Sequence, residues 1–462
     1  MNGEGARKPT YEELEARVVF LEGLVLKLTA RIEELEKQLA EKQPPARPDP
    51  PAFAKANVKK KRRKKPGRRH GHKGCSRAKP ESADEDVNVA LSLCPDCGAA
   101  LGAPVDSREH TQEDIVPARK KVTKYIRYRY WCPCCHKLVE APPAEGEIPG
   151  ARIGPVALAW SVMLKQSVGV PFEKTARLLE SLCGLRVSGA ALAAAAQRMA
   201  HRLAAEVSFV RDSIRGSPAV NVDETGWRVG GRNHWMWAFV TDRFALYRIA
   251  PSRAGRVAAE ELGKDFGGVV VADFFSAYNK LSGEQQKCTV HLLRELRECA
   301  KKNKSAEFRA LRKRLKRVIA DAMRLAADEN FAPARCEDRI WRLHDRAAAL
   351  GAADYNDADC RRIAKRLRKH AGNLFTFLFH PGVVTPDNNR AERAIRPAVV
   401  IRKISGGSRT QNGANATADL MSLARTCRLN SLDFVPFLLK ALRHHLLGCQ
   451  GSLLRDTLLS QS

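Results

Sequence analysis

The chain has 462 residues, of which 80 are Lys or Arg and 51 are Asp or Glu, so its formal net charge is +29. This length exceeds that of one ordinary domain, and so large a positive charge predicts nucleic acid as the partner. No apolar run approaches the ~20 residues of a membrane-spanning helix, and the polar, acidic start is unlike a signal peptide, so we expect no membrane association and a cytoplasmic location. Thirteen cysteines in such a chain favour reduced thiols and metal ligation over a disulfide framework.

Residues 11–42 carry an apolar heptad pattern. β-branched residues at one seam position and leucine at the other are typical of two parallel strands, so the pattern predicts a homodimer or higher oligomer through a coiled coil. The alternative is one amphipathic helix packed on its own domain, although the Pro-rich segment 43–51 separates this helix from the rest of the chain. The two seams are Tyr11, Val18, Val25, Ile32 and Leu39, and Leu14, Leu21, Leu28 and Leu35.

A strongly basic segment comes next, with ten Lys or Arg among residues 59–73. Such a segment forms no folded core, and we expect a disordered arm that binds DNA phosphates with steep salt dependence and little sequence preference. A merely solvated run of charges is the alternative. The predicted phosphate contacts are Lys59, Lys60, Lys61, Arg62, Arg63, Lys64, Lys65, Arg68 and Arg69.

Two C-x-x-C pairs, Cys94 with Cys97 and Cys132 with Cys135, are separated by thirty-four residues. Each pair presents two thiolates on a tight turn, and four thiolates complete a tetrahedral structural Zn²⁺ site. In the second pair, Cys134 and His136 are competing ligands. The alternating segment 121–131 predicts a strand whose Lys and Arg side lies on a DNA backbone.

Residues 171–199 predict a helix, a turn and a second helix, with the turn at Gly184 and a cap at Ser188. Exposed residues of the second helix would enter a DNA groove, but helix packing alone explains its many alanines equally well. The candidate exposed residues are Gln197, Arg198 and Arg202.

Two apolar runs end at carboxylates, since strands predicted over 219–224 and 268–273 carry Asp223 and Asp273. The carboxyl ends of neighbouring strands are a common place for α/β chemistry. A helix predicted over 385–397, capped by Asp387 or Asn388 and limited by Pro397, carries Glu392 in its middle. Three carboxylates can hold two Mg²⁺ or Mn²⁺ ions ~3.5–4 Å apart for phosphodiester chemistry. The alternative for Glu392 is an exposed ion pair with Arg396.

Four motifs resemble, in the same order, signatures of the large transposase of the insertion sequence 66 family. The motifs are V-D-E-T at 222–225, C-T-V-H at 288–291, D-N-N-R-A-E-R-A-I-R-P at 387–397 and R-K-I-S-G-G at 402–407. The resemblance implies a ribonuclease-H-like core whose Asp-Asp-Glu triad falls on Asp223, Asp273 and Glu392, with a zinc-binding region in front. Cys288 and His291 then lie near the active site in a structural role. The predicted DNA contacts beyond the glutamate are Arg393, Arg396, Arg402 and Lys403.

We therefore expect a multidomain α+β protein with a ribonuclease-H-like α/β catalytic core and an all-α insertion. The core comes after a coiled coil, a small zinc ribbon and a helical DNA-binding region. The predicted boundaries are 1–43 for the coiled coil, 44–80 for the basic arm, 81–141 for the zinc-binding domain, 142–211 for the helix-turn-helix-like region, 212–301 and 381–420 for the two parts of the core, 302–380 for the insertion and 421–462 for C-terminal helices.

The predicted function is that of a DNA transposase, which cuts and joins insertion-sequence ends by two-metal phosphodiester hydrolysis and strand transfer. Its predicted partners are double-stranded DNA, at element ends and target, a second copy of the chain, and helper proteins of the same element. A related nuclease without strand transfer is one alternative. A non-enzymatic, zinc-dependent DNA-binding regulator is another, but it leaves the three carboxylates without a role.

Overall fold

A computed structural model describes residues 10–42, 82, 84, 86–87, 90, 92–93, 95–103, 112, 118–281 and 283–460, without the side chains of 11, 13, 14 and 36–42. The predicted basic arm, Cys94 and the connector at 43–51 lie outside these residues. The chain divides into two compact units, one up to residue 113 and one from residue 114 on. None of the helices in the described ranges is both long and apolar enough to cross a membrane.

The first unit contains helix α1, Tyr11–Lys42, as the heptad pattern predicts. Seam residues with described side chains are exposed in the single chain. An apolar stripe exposed along one helix is the surface that a coiled-coil partner would cover. Pairing with a second copy remains a prediction. The exposed seam residues are Val18, Leu21, Val25, Leu28, Ile32 and Leu35.

The second unit begins with a short antiparallel hairpin, β1 (Arg129–Cys132) and β2 (Lys137–Glu140). The strand predicted over 121–131 is therefore confined to its last residues. Helices α2 (Pro155–Met163), α3 (Phe172–Cys183), α4 (Gly189–Arg202) and α5 (Ala204–Arg215) come next, with a π-helical turn at Leu164–Val168.

The helix-turn-helix prediction agrees with the structure in its local geometry. Gly184 ends α3 with a left-handed φ of 67°, which glycine adopts without the strain of a Cβ atom. Ser188 caps α4, since its hydroxyl accepts a hydrogen bond from the Ala191 amide at 3.2 Å. Arg198 is exposed, whereas Gln197 and Arg202 are half-buried. A DNA-reading role for α4 remains a prediction.

A five-stranded mixed sheet organises the rest of the unit in the order β5-β4-β3-β6-β7. Strands β3, β4 and β5 pair antiparallel, whereas β6 and β7 pair parallel to β3 and to β6 respectively. Helix α6 (Gly255–Leu262) connects β5 to β6. The strands are β3 (Ala219–Val229), β4 (Arg232–Val240), β5 (Ala245–Ala250), β6 (Val269–Ala272) and β7 (Gln285–Lys287).

Two of these strands differ from the sequence prediction. Strand β3 continues past residue 224 to Val229 because its second half pairs with β4. Strand β7 was not predicted, since Gln-Gln-Lys shows no apolar pattern although all three residues are buried.

The two faces of β3 pack on different layers, because successive side chains point to opposite sides of a strand. Val220 and Val222 join Trp237 in the core formed with α2, α4, α5 and the C-terminal helices. The opposite face packs on α7, α11 and α12. The late helices are α11 (Asn389–Ser405), α12 (Gln411–Leu429), α13 (Phe434–Leu446) and α14 (Leu453–Leu459).

The segment predicted as an all-helical insertion is helical. Its helices are α8 (Ala306–Ala326), α9 (Pro333–Ala352) and α10 (Ala358–His370). Together with the preceding α7 (Thr289–Lys302), they share a core that includes the fully buried Phe308. The chain then returns to the sheet edge, where the side chain of Gln286 donates to the Leu374 carbonyl at 3.0 Å and accepts from the Phe377 amide at 3.0 Å. The insertion is thus joined to β7 by buried hydrogen bonds.

Candidate active site

Asp223 and Asp273 lie on one face of the sheet, opposite each other. The parallel register of β3 and β6 runs from Ala219↔Val269 to Asn221↔Val271, and each aspartate is two residues beyond the last pair. Since adjacent strands are ~4.8 Å apart and alternate residues share a face, the two carboxylates are neighbours. Asp273 directly follows β6, as predicted. Asp223 lies inside β3, so its predicted place at a strand end is wrong.

The Asp223 carboxyl is electrostatically unfavourable as an anion. Burial raises its pKa to about 7, and the negative charges of Glu224, Asp273 and Glu392 add to the effect. The Glu224 amide, which donates to Oδ1 at 2.9 Å, acts in the opposite direction. The charge of Glu392 thus reaches Asp223, as expected if the third predicted carboxylate is near the two aspartates. A cation bound there would relieve this repulsion.

Glu392 lies in the first turn of α11, not in the middle of a helix. The helix also passes through Pro397 to Ser405, so the predicted far limit is wrong. A proline inside a helix costs one hydrogen bond, but here the buried Ala394 and Ala398 hold α11 against the sheet on both sides of it.

The carboxylate of Glu392 faces the imidazole of one residue of α7 and the guanidinium of another. Its Oε1 is 3.5 Å from His291 Nε2, and its Oε2 is 3.8 Å from Arg294 Nη2. The ion pair with Arg396, which was the structural alternative for Glu392, is not formed. His291 therefore stands next to a predicted catalytic residue, in agreement with its expected position.

Asn388 fixes the start of α11 on the sheet. Its side chain is buried, donates to the Val222 carbonyl at 2.8 Å and accepts from Asn221 Nδ2 at 3.0 Å. Its amide donates to Cys288 Sγ at 3.2 Å. Since Val222 directly precedes Asp223, these contacts connect the helix of Glu392 to the strand of Asp223. Sequence reasoning saw Asn388 only as a candidate cap.

The start of α7 is bound to the same segment. The amide and the hydroxyl of Thr289 both donate to the Pro386 carbonyl, at 3.0 and 2.9 Å. Cys288, which precedes Thr289, is buried. The C-T-V-H motif thus positions α7, and with it His291, against the glutamate helix.

The carboxylates of the site match the ligands that divalent ions require. No three His, Cys, Asp or Glu side chains in the described ranges are already close enough together to hold a metal ion. However, Glu392 Oε1 is buried without a hydrogen-bond partner, and Asp223 is a half-buried carboxyl on which the charges of other carboxylates act. Hard carboxylate oxygens suit Mg²⁺ or Mn²⁺. The carboxylate oxygens of the site are therefore donors of the kind that such ions prefer.

Lys287 is a neighbour of the site that the sequence did not indicate. Its side chain is fully buried, and its Nζ has no hydrogen-bond partner and lies 5.9 Å from the centre of the Tyr278 ring. Burial lowers the pKa of Lys287 to about 8, while the charge of Asp273 acts in the opposite direction. A buried cation therefore stands beside the second aspartate.

Comparison with protein families identifies the chain at this point. A family model described as "Transposase IS66 family" matches residues 150–416, a span that contains all three carboxylates and exceeds half of the chain. The chain belongs to the IS66 transposase family. A second model, described as "zinc-finger binding domain of transposase IS66", matches residues 92–136, which contain both C-x-x-C pairs.

Three curated relatives come from Sinorhizobium fredii. The chain is 23% identical to the uncharacterized protein y4hP over 74% of its own length and 68% of the relative. It is 25% identical to the uncharacterized protein y4jD over 73% of its own length and 72% of the relative, and 22% identical to the uncharacterized protein y4qI over 75% and 70%. The similarity thus spans most of each protein.

The family's zinc-finger region contains two turns of the same local form. In the first, Leu93 bridges Ala100, and Gly98 has a left-handed φ of 72°. In the second, Trp131 pairs with Leu138, and His136 has a left-handed φ of 48°. Each of these β-bridges joins the residue before the first cysteine of a pair to the sixth residue after that same cysteine. His136 therefore occupies the turn position of Gly98.

The second turn also favours a thiolate at Cys132. The Cys135 amide donates to Cys132 Sγ at 3.3 Å, and amide hydrogen bonds from Cys135 and Cys134 lower the pKa of Cys132. Amide donors directed at sulfur stabilise the form that binds a metal. Cys132 and Cys135 thus correspond to Cys94 and Cys97, although Cys94 lies outside the described residues.

The R-K-I-S-G-G motif of the IS66 chain joins the end of α11 to β3. Gly407 lies so close to β3 that a Cβ atom at this position would be 2.3 Å from the Arg228 carbonyl oxygen. The Ser408 amide donates a hydrogen bond to the same oxygen at 2.8 Å. Arg402 Nη1 lies 3.3 Å from Thr225 Oγ1 and also contacts the Gly226 carbonyl. Its guanidinium is therefore engaged with β3, whereas Lys403 is exposed.

A pH dependence of stability is expected from Asp223. Its pKa is about 7 in the folded protein and 3.8 as the ordinary value, so the folded state holds more protons between these values. The free energy of unfolding should then fall as pH rises from about 4 to about 7. Between pH 5 and 8, the free energy of unfolding of the metal-free parent should fall by up to ~3 kcal/mol more than that of the Asp223→Asn variant. Added Mn²⁺ should reverse this fall. Urea unfolding in EDTA measures it; equal losses would contradict the burial of this charge.

Proposed function

We propose that this IS66-family protein is a DNA transposase that cuts insertion-sequence ends and joins them to target DNA. The observation that carries the proposal is the family match over residues 150–416, which contain all three predicted carboxylates. It is supported by the placement of Asp223 and Asp273 on neighbouring strands and by the charge of Glu392, which acts at Asp223. The strand order, three antiparallel strands continued by two parallel ones, supports a ribonuclease-H-like core for this site.

Each residue of the site would have a definite task. Asp223, Asp273 and Glu392 would hold two Mg²⁺ or Mn²⁺ ions, which supply activation of the attacking oxygen and stabilisation of the leaving oxygen. Asn388 holds the glutamate helix in register with β3. His291 and Arg294 contact Glu392, and the glutamate would leave these contacts to bind an ion together with the aspartates. Lys287 would offset part of the negative charge at Asp273.

The test uses purified full-length protein and labelled duplexes that carry the element's own ends. A transposase should cut these ends in Mg²⁺ or Mn²⁺ and join the freed 3′ ends to a second duplex. Cutting without joining would favour the nuclease alternative. Binding without cutting in either ion would favour the zinc-dependent regulator and overturn the proposal.

The remaining expected partners belong to the same proposal. Double-stranded DNA would be bound by the basic arm at 59–69, by the zinc-binding domain and by the core. Two chains would associate through α1, so that one assembly holds two element ends. Helper proteins of the element and a location at the bacterial nucleoid are further parts of it.

The zinc site gives a separate prediction. We expect about one Zn²⁺ per chain, bound by Cys94, Cys97, Cys132 and Cys135. Cys132→Ser should lower the zinc content several-fold and destabilise the region, because one thiolate of a closed site is lost. Cys134→Ser is the matched control, since it removes a neighbouring thiol outside the proposed set. Metal analysis of the purified variants measures both, and loss of zinc from the Cys134 variant alone would overturn the ligand assignment.

A further inference from the structure

A groove of about 630 Å³ lies on α11 beside the proposed active site. It runs between the turn at 167–169, helix α11 and the end of α12. Its polar lining consists mainly of four guanidinium groups, those of Arg393 and Arg396 on α11 and those of Arg425 and Arg428 on α12. The members of each pair are three positions apart in sequence, so they lie on one face of their helix.

None of the four side chains has a hydrogen bond or an ion pair with another residue in the described ranges. The Nε atom of Arg425 is even buried without a partner. Some arginines elsewhere on the same unit are paired, as Arg362 is with Glu295 and Arg253 with Glu224. Four like charges around one groove repel each other, and this repulsion would be relieved by an anion with several charges.

The remaining lining is apolar and suits a polymer better than a small ion. Pro397, Val400 and Ile401 of α11 and Leu429 of α12 lie along the groove, and Val400 is 44% exposed. Arginines present planar, bidentate donors to phosphate oxygens, and apolar side chains can contact the sugars between them. This combination fits a run of phosphodiesters.

We propose that this four-arginine groove binds the phosphates of the DNA strand that enters the active site. The inference rests on the proposed transposase function and names the surface that holds its substrate. Arg393 directly follows Glu392 in α11, and Arg396 is four residues, ~6 Å along the axis, beyond Glu392. A strand held in the groove therefore passes beside the glutamate. The predicted DNA contacts Arg393 and Arg396 thus act together with two α12 arginines that the sequence did not indicate.

The test compares Arg425→Gln/Arg428→Gln with Arg335→Gln/Arg339→Gln, a double variant of equal charge on the distant helix α9, where both arginines are exposed. Binding of an element-end duplex is measured by fluorescence anisotropy from 50 to 300 mM salt. The groove variant should bind about tenfold to a hundredfold more weakly. Its slope of log K against log salt should be shallower by about 2, because two phosphate contacts are lost. The control should keep the parental slope within about 0.5.

A second variant separates charge from folding. Arg425→Lys/Arg428→Lys keeps both charges and should keep most of the parental salt slope. If the two arginines had only a structural role, the Lys variant would bind DNA as weakly as the Gln variant. Arg428→Gln alone, at an exposed position, should lower the slope by about 1.

The outcomes distinguish the inference from the function on which it rests. If the groove variants match the control in slope while the parent cuts element ends, the groove inference is overturned and the transposase proposal stands. If the slope depends on the groove but the parent cuts no DNA in Mg²⁺ or Mn²⁺, the groove stands as a DNA-binding surface and the proposed catalysis falls.

Discussion

Replacing Glu392 with Gln should lower the rate of element-end cleavage by about a thousandfold or more and leave DNA affinity within about twofold. The change keeps the size of the side chain but removes one anionic ligand of a three-carboxylate set, which costs several kcal/mol of transition-state stabilisation. DNA affinity should persist because it depends on cationic residues and not on the triad. Asp223→Asn and Asp273→Asn should have the same effect. Single-turnover cleavage in Mg²⁺ and Mn²⁺ and anisotropy on the same preparations measure the two properties.

The matched control is Glu329→Gln, an equal change of charge at an exposed position after α8. It should cleave at the parental rate. Parental cleavage by Glu392→Gln would mean that Glu392 is only an ion-pair partner of His291 and Arg294. The role of Glu392 would then be limited to its contacts with α7.

Replacing Asn388 with Ala should lower the free energy of unfolding by ~2–4 kcal/mol and reduce cleavage strongly. The substitution removes one hydrogen bond from each of two buried partners, the side-chain Nδ2 of Asn221 and the carbonyl of Val222, and each loss costs ~1–3 kcal/mol. The loss also frees the first turn of α11, which carries Glu392, from the strand that carries Asp223. Urea unfolding measures the first effect and single-turnover cleavage the second.

Asn412→Ala, at an exposed position in α12, is the control for loss of an asparagine side chain and should stay within about 0.5 kcal/mol of the parent. Asn388→Asp refines the test, because a carboxylate can still accept from Asn221 but cannot donate to Val222. We expect an intermediate stability for it. A stable Asn388→Ala variant with parental cleavage would show that packing of α11 alone positions the glutamate.

Local patterns predicted the elements that local physics determines. The heptads at 11–42 gave the limits of α1, because side chains at 3.5-residue spacing share a helix face. Gly184 and Ser188 marked the end of one helix and the start of the next, since each satisfies a requirement of its own backbone position. Apolar runs that end at Asp223 and Asp273 indicated two strands of one sheet.

Boundaries were wrong where a distant segment decided them. Strand β3 extends beyond its apolar run because β4 pairs with its residues up to Val229. Helix α11 continues beyond Pro397 because its buried alanines, Ala394 and Ala398, pack on the sheet. Strand β7 has no apolar pattern at all. Gln286 can be buried there because backbone groups at the end of the insertion form hydrogen bonds with its side chain. Propensity and periodicity contain no term for these partners.

The sequence by itself determined the family and most of the helices and strands, and it predicts three carboxylates as the site, since these depend on residue types at fixed spacing. Only the tertiary structure decided how these residues are held and what surrounds them. Asn388 bonds to a strand more than 160 residues away, Lys287 stands buried beside Asp273, and arginines of α11 and α12 form one groove. Contacts between segments distant in sequence depend on packing of whole layers, and no local pattern records that packing.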